Sequence, residues 1–150
     1  MFVKFASFAL AACIVCAPGF AQNPNEQTPE QAAITAAAQQ LAAMPFDANA
    51  PVTARGRVAS IVFALSGKTG MIVIEDPQSG QRYAFSTAGT RDMSKQGFSR
   101  FTMRPGEEVT VTGILAEGGK KIGPGFTAAK ADTITKSDGT RVFDRSRLPN

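Results

Sequence analysis

The chain has 150 residues, with 16 Lys and Arg against 12 Asp and Glu, two cysteines, and neither histidine nor tryptophan. Without histidine, and with Cys13 and Cys16 both close to the start, it lacks the usual ligands of zinc, copper and haem sites and the base of a serine nucleophile. Its mild positive charge is scattered, unlike the clustered cations of a nucleic-acid binder, so nucleic acid is not the expected partner.

Met1 to Lys4 is a short basic start, Phe5 to Cys16 is almost wholly apolar, and Pro18-Gly19-Phe20-Ala21 offers small residues where an exporting peptidase reads. Residues 1–21 therefore read as a signal peptide cleaved after Ala21, and the mature protein as periplasmic or secreted. The apolar run falls short of the roughly 20 residues of a membrane span, so no transmembrane segment is expected. Cys13 and Cys16 have Cys-x-x-Cys spacing, but Ala17 stands where haem attachment needs histidine. Leu10-Ala11-Ala12-Cys13 matches the box ahead of a lipid-modified cysteine, which gives the alternative of an anchor at Cys13. The continuing apolar Ile14-Val15 favours simple cleavage.

Residues 22–28 are polar and proline-punctuated and read as a flexible leader. Thr28-Pro29-Glu30-Gln31 then combines a capping threonine, a proline at the first helical position and a glutamine that closes a capping box. The alanine-rich helix this predicts over residues 29–45 is stopped by Pro45 and carries a thin apolar stripe of Ile34, Ala37, Ala38, Leu41 and Met44. That stripe could pack on the following domain, pair with another molecule, or serve in a weak tether.

From Phe46 onward short strands and turns take over. A first strand is predicted over Val52 to Leu65, with a bulge at Gly56 because Arg55 and Arg57 give way to Ile61, Phe63 and Leu65 at the same parity. Gly67-Lys68-Thr69 has the closing letters of a phosphate-binding loop. Val62, however, holds the place of that loop's first glycine, and a β-branched run follows where a helix is needed. This stretch is expected to be a turn that binds no nucleotide.

Further strands are predicted over Met71 to Asp76 and Arg82 to Ser86, joined by the turn Asp76-Pro77-Gln78-Ser79-Gly80. A short helix over Thr90 to Gln96 is closed by Gly97. Glu107 to Leu115 alternates most cleanly, with Val109, Val111 and Leu115 on one face. A glycine-rich loop holding Lys120-Lys121 leads to a strand over Phe126 to Thr135, and Asp138-Gly139 turns the chain into Arg141-Val142-Phe143. The predicted fold is mainly β: a small five-stranded OB-like barrel over residues 46–143, one short helix between strands three and four, an N-terminal helix, and a flexible tail over 144–150.

The segments "FDANAPVTARGRV", "RYAFSTAG", "KQGFSRFTMRPGEEVTVTG" and "AKADTITKSDGTRVF" together resemble a domain-of-unknown-function family of small exported bacterial proteins. The likeness runs from about Phe46 to Phe143. It implies an exported small β-barrel and carries over no activity. Members typically place an Asn-Pro-His stretch between the first two strands. Here that place holds "FALSGKTG", so chemistry routed through that histidine is not expected.

Other constellations carry little chemistry. Asp132, Asp138 and Asp144 lack the spacing of a calcium loop and read as turn-forming acids. Ser60, Ser66, Ser86 and Ser94 have no histidine to activate them. Glu107 and Glu108, adjacent on a strand, point to opposite faces and cannot flank one bond. No catalytic residue, metal or cofactor is therefore expected. Phe63, Tyr83, Phe85, Phe98 and Phe101 read first as core and second as a stacking platform.

The functional expectation is an exported, non-catalytic binding or accessory module of unspecified ligand and oligomeric state. The alternatives are a partner-interaction protein acting through the N-terminal helix, and a weak binder of anionic polymers or glycans. The candidate ligand face combines Arg55 and Arg57, Tyr83, and Lys120 and Lys121, because barrels of this type bind across their middle strands and loops.

Overall fold

The computed structural model describes residues 28–63 and 69–149. The expected signal peptide and its cysteines, nearly all of the leader, and Ala64 to Lys68 of the expected turn lie outside the described residues.

Helix α1 (Pro29–Ala42) begins as its capping box dictates: Gln31 N donates to Thr28 Oγ1 and Thr28 N to Gln31 Oε1, each at 3.3 Å. All five stripe residues turn to one apolar cluster, with Ala37 and Leu41 fully buried and Ile34, Ala38 and Met44 partly so. The stripe packs on the chain's own barrel, the first of its three possible uses.

The barrel strands are β1 (Phe46–Val62), β2 (Met71–Glu75), β3 (Arg82–Ser86), β4 (Glu108–Ala116) and β6 (Phe126–Lys136). They follow the order β3-β2-β1-β4-β6, and a parallel β3–β6 pairing closes the ring. Helix α2 (Thr90–Lys95) lies between β3 and β4, as the OB-like reading requires. Two short strands are added, β5 (Lys121–Ile122) and β7 (Arg141–Asp144), each paired with β6. The open edge of β7 is occupied by Gln96, whose side-chain amide donates to Asp144 O (2.8 Å) and accepts from Asp144 N (2.9 Å). A side chain thus stands in for a neighbouring strand and blunts the edge.

Two apolar layers explain the sequence of β2. Ile72 and Ile74 face the barrel interior with Val58, Phe85, Val109, Val111 and Ile134, whereas Met71 and Val73 face outward beneath Ala37 and Leu41. A strand covered on both faces reads as a continuous apolar run, which is what Met71-Ile72-Val73-Ile74 is. The outer face of β2 and β3 is therefore covered by α1. Among the described residues, both clusters draw on positions between Ile34 and Leu148.

Two expectations need correction. The phase of β1 does switch, but the irregularity lies between Val58 and Ser60, and Gly56 sits in regular register with Val109. Glycine is required at position 56 for space: the Glu75 carbonyl oxygen occupies the volume a Cβ would need. The end of the chain, expected as a loose tail, holds a 3-10 turn over Arg145–Arg147. Arg145 Nε donates to Ala131 O (2.6 Å) and its Nη2 to Ser86 O (3.0 Å), which ties the turn to β6 and β3. Burial pulls this guanidinium below its ordinary pKa range, partly offset by the carboxylate of Asp132.

Candidate functional site

The five residues of the expected face fall into two groups. Arg55 and Arg57 project outward from β1, where they and Gly56 line an open groove of about 440 Å³ with Asp76, Pro77, Gln78 and Glu108. Tyr83 projects the other way. It packs against the interior cluster, with its ring 5.9 Å from that of Phe85 in a stacked arrangement. Lys121 stands opposite Thr127, which in turn stands opposite Tyr83, so Lys121 shares a row with Tyr83 rather than with the arginines. Lys120 precedes β5 in the same connection. No single face unites the five, because neighbouring positions on a strand point to opposite sides of the wall.

Strand register builds the groove wall as a row of alternating charge. Glu108 of β4 stands opposite Arg57 of β1, Arg57 opposite Glu75 of β2, and Glu75 opposite Arg82 of β3. Cross-strand neighbours on one face have Cβ atoms about 5 Å apart, and each opposite-charge pair contributes roughly 0.2–1 kcal/mol. Arg82 Nε lies 2.9 Å from Glu75 Oε2, and Arg55 reaches diagonally to Glu108, Nε to Oε1 at 2.7 Å. Arg57 makes no ion pair within 4.0 Å among the described residues. The two guanidiniums of the groove thus face two carboxylates, those of Glu108 and Asp76.

The opposite wall is a pre-formed turn. Asp76 accepts from Ser79 Oγ (2.7 Å) and Gln78 N (2.9 Å), and these hydrogen bonds hold its carboxyl below the usual range. Gly80 N closes the turn on Asp76 O at 2.8 Å, and Gly80 takes φ +67°, which glycine adopts without strain. Residues 76–80 are recognisable in sequence as a turn, with no sign there that they border a groove with Arg55 and Arg57. Only the β1–β2 register brings them together.

The remaining candidates are placed as follows. Phe85 and Phe98 are buried and Phe63 and Tyr83 partly buried, with the Phe63 and Phe98 rings 6.0 Å apart, which fits the core reading. Phe101 departs from it at 67% exposure. Glu107 ends the connection before β4 rather than starting the strand, and the two acids diverge, Glu107 toward Lys136 (3.4 Å) and Glu108 toward Arg55. Asp138 and Asp144 accept hydrogen bonds inside their own turns, from Thr140 N and from Ser146. Among the described residues no group of three or more His, Cys, Asp or Glu is placed to hold a metal ion. No described helix is long and apolar enough to cross a membrane.

No family model, curated protein or solved structure matches the chain.

Proposed function

We propose that the protein is a non-catalytic binding module whose contact surface is the groove between β1 and the Asp76 to Gly80 turn. The observation that carries this reading is the groove's charge balance: two guanidiniums and two carboxylates in a polar cleft that α1 leaves uncovered. The charge of Arg55 is already compensated by Glu108 at 2.7 Å, so a polyanion gains little there by displacing counterions. Guanidinium and carboxylate groups instead present paired donors and paired acceptors, a pattern that suits adjacent hydroxyls. A neutral glycan is accordingly the ligand class that fits, in keeping with the oligosaccharide binding known for this architecture. Burial of the helix's apolar stripe against the barrel favours the groove over that stripe as the contact surface.

The proposal includes export, with cleavage after Ala21 and action outside the inner membrane. It rests on the N-terminal sequence and on the family resemblance. Calorimetric titration of residues 22–150 with neutral and acidic oligosaccharides tests the binding reading. Neutral chains are expected to bind with little salt dependence, and Arg55→Ala/Arg57→Ala to weaken them roughly tenfold. Preference for heparin with a steep loss in salt would establish the anionic-polymer alternative instead.

A further inference from the structure

The connection between β3 and β4 carries a feature that the groove does not use. Phe101 is the sole exposed large hydrophobic side chain among the described residues, at 67%. It sits at the tip of a fixed turn: Ser99 N donates to Thr102 Oγ1 (2.8 Å), Phe101 N to Ser99 Oγ (3.2 Å), and Thr102 N to Ser99 O (3.0 Å). Lys136 Nζ grips the turn from β6 through Thr102 O at 3.1 Å. Phe98 and Met103, on either side of the tip, are both buried in the barrel core. The ring is therefore held outward by a built support, and Arg100 places its guanidinium 4.8 Å from the ring centroid.

The same connection is strongly basic. It carries Arg91, Lys95, Arg100 and Arg104 against two acids, of which Asp92 is engaged by Lys95 at 3.1 Å and Glu107 by Lys136 of β6 at 3.4 Å. Arg91, Arg100 and Arg104 make no ion pair among the described residues. This contrasts with the groove, where opposite charges alternate. Among the described cations outside ion pairs, Arg100 is the one that stands over an exposed aromatic ring.

We propose that the Arg100-Phe101 turn is a docking point for an anionic lipid surface, with the ring entering the headgroup boundary and the neighbouring arginines contacting lipid phosphates. An aromatic tip flanked by cations has the chemistry of interfacial binding, in which buried apolar area and attraction to anionic lipid add. Single-stranded nucleic acid fits less well. It calls for several aromatics along a groove that tracks the backbone, and here one ring stands on a convex turn. Each contribution is small, so the contact is weak and reversible.

The test is co-sedimentation of residues 22–150, which contain every described element of the fold, with phosphatidylcholine vesicles with and without about one-third phosphatidylglycerol. Binding is expected only to the anionic vesicles, falling with salt. Phe101→Ala keeps every charge and removes no buried contact, and is expected to weaken binding roughly tenfold at an unchanged melting temperature. Arg100→Ala/Arg104→Ala is expected to abolish the preference for anionic lipid. Absence of vesicle binding, or equal binding by wild type and Phe101→Ala, would overturn the proposal. So would oligo-dT binding that depends on Phe101 without a matching dependence on vesicles.

Discussion

The backbone carbonyl of Glu75 lies where a side chain on Gly56 would begin, so β1 and β2 meet at the groove with no room for a Cβ. Gly56 also stands between Arg55 and Arg57, so the residue that permits the approach spaces the two groove cations. Gly56→Ala forces backbone to move and is expected to cost about 1–3 kcal/mol, as overpacking generally does. A urea melt measures it. Gly80→Ala, in open space but at positive φ, provides a comparison in which only backbone strain is added.

The register of β4 is tested by a neighbouring pair. Val111 is fully buried in the barrel interior, and Thr112 points outward with its Oγ1 2.6 Å from that of Thr133. Val111→Asp places an uncompensated charge in the core and is expected to prevent folding. Thr112→Asp gives up one half-buried hydroxyl pairing and is expected to cost about 1 kcal/mol. Equal loss of melting temperature in the two variants would contradict the assigned faces.

Helix α1 is predicted to be part of the folded unit. Leu41 is fully buried against Met71, Val73 and their neighbours, so Leu41→Ala is expected to cost about 2–5 kcal/mol in thermal or denaturant unfolding. A helix serving as an external tether would show almost no change. Ala37 is equally constrained, because it lies against Gly123 with little room between them.

Much of this architecture is legible in the sequence where local signals agree with the fold. The capping box of Thr28 and Gln31, the stripe from Ile34 to Met44 and the alternation through Val109 and Val111 each record a periodicity that one element imposes on its own residues. The candidate site is legible only in part. Arg55 and Arg57 line one groove, yet Tyr83 turns inward and Lys121 joins its row. Whether two strands bring residues together depends on register, and a single bulge reverses the faces beyond it. The bulge between Val58 and Ser60 has no glycine to announce it, while the glycine at 56 serves close packing. The support of Phe101 is hidden for a similar reason. Ser99, Thr102 and Lys136 are ordinary polar residues until the fold aims them at one turn.

Acid stability follows from the turn carboxylates. Hydrogen bonds from Ser79, Thr140 and Ser146 hold the carboxyls of Asp76, Asp138 and Asp144, respectively, below the ordinary carboxylate range. A depressed carboxyl pKa contributes stability that is fully present above the unfolded value and is lost as pH falls through the folded one. Stability is therefore expected to be level in this respect above about pH 5 and to decline below about pH 4. Asp76→Asn should flatten part of that decline, as read by melting temperature against pH.

The most direct measurement of the groove assignment is an amide chemical-shift map of residues 22–150, titrated with the tightest-binding oligosaccharide of the neutral panel. The account predicts that the largest saturable changes fall on Gly56, Arg57, Gln78 and Glu108, on both walls of the groove, and are lost in Arg55→Ala/Arg57→Ala. Changes centred on Tyr83, Thr127 and Lys121, or along α1, would contradict it, as would the failure of every neutral oligosaccharide to bind.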